Sequence, residues 1–235
     1  MYQRYIAQQI KAHYPKALDS KDLSIKYLGK MQNDYDIDIS KMLLATSLCS
    51  DDINIPSTSF FNVLFGPFIM GGLGGLPFAG MTGMGAYASH IPDGGSAFIF
   101  YGPHIGITMD GELGKMYRPR QDKATSSCGA LMLAMRRFQE NPKYEPTVTD
   151  ADYQQMKLEE SLVPYKEEIL ASKEPAKEIT SATYEVIHKQ IYDLVEASKG
   201  SFKVDKIAML GGIIINTSAG LDDFFDVRNF EVVEI

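Results

Sequence analysis

Cysteine is scarce in this sequence, whose 235 residues include only Cys49 and Cys128. Two cysteines exclude the multi-bridge disulfide framework that small secreted domains use in place of a large core. One alternative stays open at this stage. The two residues could form a disulfide in a metal-free binding domain, which would then lose structure on reduction.

Positive charge is also scarce, since 23 lysines and arginines stand against 30 aspartates and glutamates, for a formal net charge of -7. A protein that neutralises phosphate groups needs a clustered basic surface. The nearest approach to such a cluster, residues 115–123, is diluted by Asp122. The charge pattern therefore argues against nucleic acid as a partner.

Long apolar runs are missing as well. No apolar run reaches the roughly 18 residues that a membrane-spanning helix requires, so the sequence predicts no membrane span. The N-terminal segment has the spacing of an amphipathic helix, and not the apolar core of a signal peptide. Its apolar residues recur at four-residue steps: Tyr2, Ile6, Ile10 and Tyr14.

The sequence does contain an alternation of strand and helix patterns. Short apolar runs without alternation are typical of buried strands, and they predict strands at 41–50, 97–101, 209–217 and 224–233. Helices are predicted in three places. Proline opens a first turn at 56–64, Cys128 opens a helix from 128 onward, and the apolar spacing is helical over 149–200. This alternation is typical of an α/β fold with a mostly parallel central sheet flanked by helices.

We interpret the whole chain, residues 1–235, as one domain, because it shows no internal repeat and no break in composition. Its expected parts are an N-terminal helical arm at 1–40, a core that carries the candidate site at 41–135, helices at 149–200 and closing strands at 207–235.

Two cysteines and one histidine are predicted to lie where elements begin or end. Cys49 and His104 each follow a predicted strand, and Cys128 starts a helix. In an open α/β sheet the carboxyl ends of the strands form the ligand crevice, and a helix N-terminus stabilises a thiolate. The three residues are too far apart in the sequence for a local zinc knuckle. Three ligands with room for water match a catalytic zinc site instead.

Four histidines compete for the place of the nitrogen ligand. His13 and His188 lie on predicted amphipathic helices, where surface or packing roles are common. His90 lies at an expected helix end, where it could cap the last carbonyl groups. We favour His104 as the ligand and keep His90 as the alternative.

Several motifs along the chain resemble those of β-carbonic anhydrases. CSD at 49–51 resembles the aspartate-bearing first cysteine motif, FIFYGPH at 98–104 the strand that ends in a histidine, and CGAL at 128–131 the helix that begins with a cysteine. In ordinary members the histidine and the second cysteine are three residues apart, whereas here Cys128 follows His104 by 24 residues. This insertion, with GGLGGLPFAG, HIPDGG and INTSAGLDDFF, resembles the limiting-carbon-dioxide-inducible B/C family of algae, over roughly residues 40–135 and the C-terminal strands.

The resemblance implies a β-carbonic-anhydrase-like fold that holds Zn2+ through Cys49, His104 and Cys128 and interconverts carbon dioxide and bicarbonate. It also implies a homodimer or higher homo-oligomer, a role in a carbon-concentrating mechanism and a chloroplast location.

In the family resembled, the aspartate two residues after the first cysteine pairs with an arginine, which leaves the fourth zinc position to water. Asp51 takes that catalytic place here, and capping of a loop is the alternative role for its side chain. The arginine is expected two residues before the cysteine, where this chain has Ser47, a residue that cannot supply a charged fork. We expect Arg118 and Arg120, both in the insertion, to be solvated loop residues, with entry of one of them into the site as the alternative.

Ser47 therefore predicts weak or absent activity, which the substitution Ser47→Arg should raise. It also leaves a second function open, that of a catalytically silent zinc-binding scaffold or carbon-sensing partner.

The glycine-rich stretch at 66–85 lacks the lysine and the spacing of a phosphate-binding loop. Its glycines are expected to let the backbone pack closely beside the site or against a second subunit. Leu73, Leu76 and Phe78 would then supply an apolar wall, and we predict that Ser47, Leu73 and Phe78 line the substrate pocket.

Overall fold

The computed structural model describes residues 2–54, 60–61, 63–218 and 220–235. Within this part of the chain, seven strands form one mixed sheet in the order β1-β9-β8-β4-β2-β3, and the short strand β5 pairs with the last part of β8. The strands of this sheet are β1 (Leu18–Asp19), β2 (Met42–Ser47), β3 (Phe65–Ile69), β4 (Ser96–Tyr101), β5 (His104–Gly106), β8 (Lys206–Asn216) and β9 (Phe224–Glu234). A separate two-stranded ribbon consists of β6 (Lys115–Met116) and β7 (Thr125–Ser126).

The helices are α1 (Tyr2–His13), α2 (Ser20–Tyr35), α3 (Gly80–His90), α4 (Gly129–Glu140), α5 (Tyr153–Leu162), α6 (Lys166–Ala171) and α7 (Pro175–Ser198). Capping explains the limits of α2, because the Asp19 side chain accepts a hydrogen bond from the N–H of Asp22 at its start. At its end, Asp36 adopts a left-handed conformation and donates its N–H to the Met31 carbonyl.

The apolar runs in the sequence form the three central strands of the sheet. β2, β4 and β8 pair in parallel, and almost all their residues are buried. A strand that is covered on both faces needs no alternation of polar and apolar side chains. β3 extends the parallel part, whereas β9 and β1 add antiparallel strands at the opposite edge. The prediction of an α/β fold with a mostly parallel central sheet flanked by helices is confirmed.

Helices cover both faces of this sheet. Alternate residues of β4 belong to two core clusters, with Ile99 in the larger one and Phe100 in the smaller one. Ile6 of α1 and Ile187 of α7 pack in the larger cluster, and Leu23 of α2 packs in the smaller one. The first two helices therefore cover opposite faces of the sheet. Among the described residues, no helix is both long and apolar enough to cross a membrane.

Close backbone contacts at two glycines position the chain around the candidate site. Gly102 has a φ of +152°, and a Cβ at this position would lie 1.7 Å from the Gly212 carbonyl oxygen of β8. A Cβ on Gly71 would lie 2.1 Å from the carbonyl oxygen of Leu48, the residue before Cys49. Only glycine fits at such distances, so at Gly71 the glycine-rich stretch packs its backbone against the residue before Cys49, which agrees with one of the two placements expected from the sequence.

Three details differ from the sequence-based expectation. β2 ends at Ser47, and β4 ends at Tyr101, so His104 does not end that strand. His104 instead begins β5, which continues the sheet beside β8 after Gly102 has interrupted the ladder. Most of the helix predicted at 56–64 lies outside the described residues, and residues 60, 61, 63 and 64 form bends and a turn.

Candidate metal centre

Three element boundaries bring Cys49, His104 and Cys128 together. Cys49 follows the end of β2, His104 begins β5, and Cys128 occupies the position before the first residue of α4. One potential ligand atom from each residue lies within 4.8 Å of the other two. All three side chains are buried. This is the grouping predicted from the sequence, and it has the residue types of a candidate metal centre.

The other histidines lie elsewhere. His90 ends α3, and its ring lies 5.8 Å from the ring of Phe68. His13 contacts Glu174, and His188 contacts Tyr101. The structure thus brings His104 to the two cysteines and leaves the alternative, His90, at a helix end.

A hydrogen-bond chain orients the imidazole of His104. Its Nδ1 lies 2.7 Å from Oδ1 of Asn216, at the end of β8. The Nδ2 group of Asn216 donates to Asp223 Oδ2 at 3.1 Å and to Asn54 Oδ1 at 3.3 Å, which fixes the amide orientation. Nδ1 therefore carries a hydrogen, and in the neutral imidazole Nε2 keeps its free lone pair, the form in which histidine binds a metal.

Among the described residues, no group forms a hydrogen bond with the lone pair of His104. Nε2 is buried and makes no hydrogen bond within the part of the chain that the structure describes. Leaving a buried polar atom unpaired costs free energy, unless an ion completes its coordination. One imidazole nitrogen and two sulfurs suit Zn2+, and three protein ligands leave a fourth tetrahedral position for water. The residues present therefore fit a zinc ion.

The two sulfurs differ in proton affinity. Cys49 and Cys128 lie 3.6 Å apart, sulfur to sulfur. The hydrogen bond from Cys49 lowers the pKa of Cys128, and the N–H groups of Leu131 and Ala130 at the start of α4 lower it further, against the effect of burial. The shared hydrogen bond and burial raise the pKa of Cys49. The thiolate thus forms first at Cys128, the place where a helix N-terminus stabilises it.

An arginine from the insertion reaches Asp51. Nη2 of Arg118 donates to Asp51 Oδ1 at 2.9 Å and Oδ2 at 2.7 Å, while Nη1 donates to Asp52 Oδ1 at 2.6 Å. Partial burial has the largest effect and raises the pKa of Asp51, but the hydrogen bonds from Arg118, together with smaller effects of Asp52, His104 and the N–H of Ile53, hold that pKa below its usual value. The expectation that Arg118 is a solvated loop residue is therefore wrong, because the folded-back ribbon brings it to two carboxylates.

The three residues predicted to line the substrate pocket each make a different contact in the structure. Ser47 is fully buried, and its hydroxyl donates to the Gly75 carbonyl at 2.8 Å. The N–H of Leu73 donates to Gln154 Oε1 at 2.9 Å. Phe78 lines a cavity of about 320 Å³ beside α5, and none of the three clustered residues is among its described lining residues. The assignment of these residues to a substrate pocket stays a prediction.

A different cavity lies on the side of the site near the end of β8. Its volume is about 350 Å³, and its lining includes Asp52, Asn216, Asp223 and two residues of the insertion, Met116 and Pro119. Sequence reasoning did not identify Asn216 or Asp223 as site residues. Both lie in the segment INTSAGLDDFF, where an amide at the end of a buried strand was the available signal.

Comparisons with known proteins find a matching family and similar solved structures. A family model described as limiting CO2-inducible proteins B/C beta carbonic anhydrases matches residues 18–234. Among solved structures, PtLCIB4, a homolog of the limiting CO2-inducible protein LCIB, is 32% identical with a TM-score of 0.89, covering 97% of this chain and 95% of that chain. A serine-to-arginine mutant of PtLCIB4 is 30% identical with a TM-score of 0.81, covering 97% of this chain and 98% of that chain.

The structure of LCIB itself is 19% identical with a TM-score of 0.70, covering 95% of this chain and 96% of that chain, which shows a shared fold. A search of curated proteins finds no match to this chain.

Proposed function

Because the chain belongs to the limiting-CO2-inducible B/C family of β-carbonic anhydrases, we propose that it is a zinc-dependent enzyme that interconverts carbon dioxide and bicarbonate. The buried cluster of Cys49, His104 and Cys128, with the unpaired Nε2 of His104, is the observation that carries this proposal. Zinc held there supplies Lewis acidity, which makes water a nucleophile near neutral pH; the handling of water by a carbonic anhydrase is the standard example of this effect.

The protein's own side chains would orient the metal ligand and the water. Asn216 keeps the hydrogen of His104 on Nδ1, so that Nε2 is the nitrogen left to bind a metal. Asp51 lies beside the cluster as a carboxylate, and it can accept a hydrogen bond from water and so orient it. Asn216 and Asp52 also line the cavity of about 350 Å³ at this edge of the sheet, whose described lining includes none of the three candidate ligands.

Ser47 favours a second function. Its hydroxyl is bonded to Gly75, and so it cannot substitute for an arginine beside Asp51. A zinc-binding scaffold without turnover, acting as a carbon-sensing partner, would need the metal ligands but not the catalytic arginine. Metal binding is common to the two functions, and only hydration of carbon dioxide separates them.

Zinc content and hydration rate test the proposal together. We expect about one zinc per wild-type chain by elemental analysis, loss of zinc in Cys49→Ser and His104→Ala, and full retention in the matched control His90→Ala. Stopped-flow measurement of carbon dioxide hydration should give a rate above the uncatalysed one. Zinc without turnover would favour the scaffold. A chain that binds no zinc, and unfolds when reduced, would support the disulfide-linked alternative.

A homodimer or higher homo-oligomer and a chloroplast role in a carbon-concentrating mechanism complete the proposal. Family membership is the support for both. Light scattering coupled to size-exclusion chromatography would measure the number of subunits, and a mass equal to one chain would contradict the oligomer.

A further inference from the structure

We propose that Asp223 is the positioning residue that selects which nitrogen of His104 is free to bind a metal, and that it acts through the side-chain amide of Asn216. This inference rests on the proposed function, because its consequence is the affinity of the same zinc site. It gives the segment that joins β8 to β9 a specific role in metal binding.

The three side chains form a chain of hydrogen bonds that runs in one direction. Nδ1 of His104 donates to Oδ1 of Asn216 at 2.7 Å, and Nδ2 of Asn216 donates to Oδ2 of Asp223 at 3.1 Å. The other oxygen of Asp223 accepts the N–H of Thr217 at 2.9 Å. Burial raises the pKa of Asp223, and the donors on Thr217 and Asn216 act against this rise. Both carboxylate oxygens thus accept, and one of the two donors is a backbone group.

Strand register places Asp223 beside Asn216. β8 and β9 are antiparallel neighbours, and their pairing joins Ile215 to Phe224. Asn216 follows this pair on β8, and Asp223 precedes it on β9. The two side chains therefore meet because of how the strands pair, and the carboxylate has a defined place next to the amide.

Among the described neighbours, Asp223 alone has a fixed hydrogen-bond polarity. Oγ of Ser127 lies 3.5 Å from Nδ1 of His104, and a hydroxyl can donate or accept. Oδ1 of Asn54 accepts from Asn216 at 3.3 Å, but Nδ2 of Asn54 has no partner among the described residues, so rotation of that amide would present a donor instead. A carboxylate can only accept. Asp223 therefore sets the direction of the whole chain.

Asp223→Asn should reverse this direction. The variant keeps the size of the side chain but has one acceptor in place of two. The backbone N–H of Thr217 cannot turn away, so the new amide should face it with its oxygen and face Asn216 with its nitrogen. The amide of Asn216 must then rotate and place its own nitrogen against Nδ1 of His104. Nδ1 becomes the acceptor, the hydrogen moves to Nε2, and Nε2 no longer binds a metal.

Exchanging the two residues should restore the direction. In the double variant Asn216→Asp with Asp223→Asn, the carboxylate at position 216 accepts from Nδ1 of His104 and from the amide at position 223. The oxygen of that amide still accepts the N–H of Thr217, and the number of charges is unchanged. A carboxylate that accepts from a metal-bound histidine is a common arrangement.

Competition with a chromophoric zinc chelator tests these variants. Asp223→Asn should weaken zinc binding by about 10-fold or more, in the range of outer-shell effects on metal sites. Asp223→Ala should weaken it less, because the Asn216 amide is then free to keep its orientation. A merely structural role predicts the opposite order, since asparagine keeps the size and shape of aspartate. The double variant should return the affinity close to the wild-type value.

Asp222→Asn is the matched control, because it makes the same change in the adjacent, exposed residue. The backbone of Asp222, and not its side chain, bonds to Thr217 and Gln3. Its zinc affinity should equal that of the wild type.

NMR of the nitrogen-labelled, metal-free protein measures the position of the hydrogen without any zinc. The signals of His104 are those missing from His104→Ala. We expect the hydrogen on Nδ1 in the wild type and in the double variant, and on Nε2 in Asp223→Asn. Circular dichroism checks that each variant is folded.

The outcomes separate the two proposals. A wild type that binds no zinc refutes the zinc enzyme and, with it, the role of Asp223 in metal binding. A wild type that binds zinc, beside a folded Asp223→Asn variant with unchanged affinity and an unchanged hydrogen position, refutes the inference alone. A folded double variant that binds zinc no better than Asp223→Asn equally overturns it. If Asp223→Asn does not fold, the double variant still gives the answer, because it is expected to fold and to bind zinc as the wild type does.

Discussion

Asn216 is not a candidate ligand, but its contact with His104 allows a test of how a ligand's hydrogen-bond partner affects metal binding. Its Oδ1 accepts the Nδ1 hydrogen of His104 at 2.7 Å, and both side chains are buried. The substitution Asn216→Ala removes this acceptor without touching a candidate ligand. Nδ1 is then left without its fixed partner, so the imidazole can rotate or carry its hydrogen on Nε2, where it no longer binds a metal.

The size of the effect follows from this geometry. Outer-shell partners of metal-bound histidines change metal affinity by about 10- to 100-fold, which corresponds to about 1.4 to 2.8 kcal/mol. The short hydrogen bond between two buried side chains places Asn216 toward the upper end of that range. Asn216→Asp keeps an acceptor for Nδ1 but loses the donor to Asp223, so its loss of affinity should be smaller than that of the alanine variant.

Competition with a chromophoric zinc chelator measures the affinity directly. Asn229→Ala is the matched control, because that asparagine lies on β9 and donates to Tyr192 at 3.0 Å, away from the cluster. Its zinc affinity should equal that of the wild type. If Asn216→Ala folds normally, by circular dichroism, and binds zinc as tightly as the wild type, the reasoning about the imidazole's orientation is refuted.

Three further predictions concern stability. Gly102→Ala places a Cβ 1.7 Å from a carbonyl oxygen of β8 and should lower the free energy of unfolding by about 3 kcal/mol, measured in urea. Gly200→Ala is the control and should cost far less, because its Cβ would meet no atom of the described residues within 4 Å. Glu159→Ala removes a fully buried carboxylate that contacts an arginine and a tyrosine, and it should lower the free energy of unfolding by about 2–3 kcal/mol. Glu160→Ala is the control, because Glu160 is exposed and its loss should change the Tm little. Removing metal with a chelator should lower the Tm of the wild type but not of Cys49→Ser, and equal shifts in both would contradict a metal at this cluster.

The central part of the fold could be predicted from the sequence because burial leaves a direct signature there. The apolar runs of β2, β4 and β8 have no alternation, which is the pattern of strands covered on both faces. The antiparallel pairing of β9 with β8 has no comparable signal, since partner and direction depend on the whole sheet. The place of His104 at the start of β5 follows from a backbone contact at Gly102, which a local pattern does not encode.

The candidate ligands were predictable, but their partners were not. Cys49, His104 and Cys128 combine rare residue types with expected element boundaries. Arg118 lies in a polar insertion, and its partner Asp51 is distant in the sequence, so composition alone favoured a solvated side chain. Asn216 is more distant still from His104. Contacts of this kind depend on tertiary packing, and a single sequence provides no local pattern from which to infer them.

The parallel arrangement of the central strands has a consequence for how the molecule folds. Parallel neighbours require long crossover connections, so Cys49, His104 and Asn216 meet only after β2, β4 and β8 have paired across large sequence separations. Contacts of this range form slowly. Zinc uptake during refolding should therefore follow assembly of the sheet. The ion would stabilise a completed topology and not nucleate one.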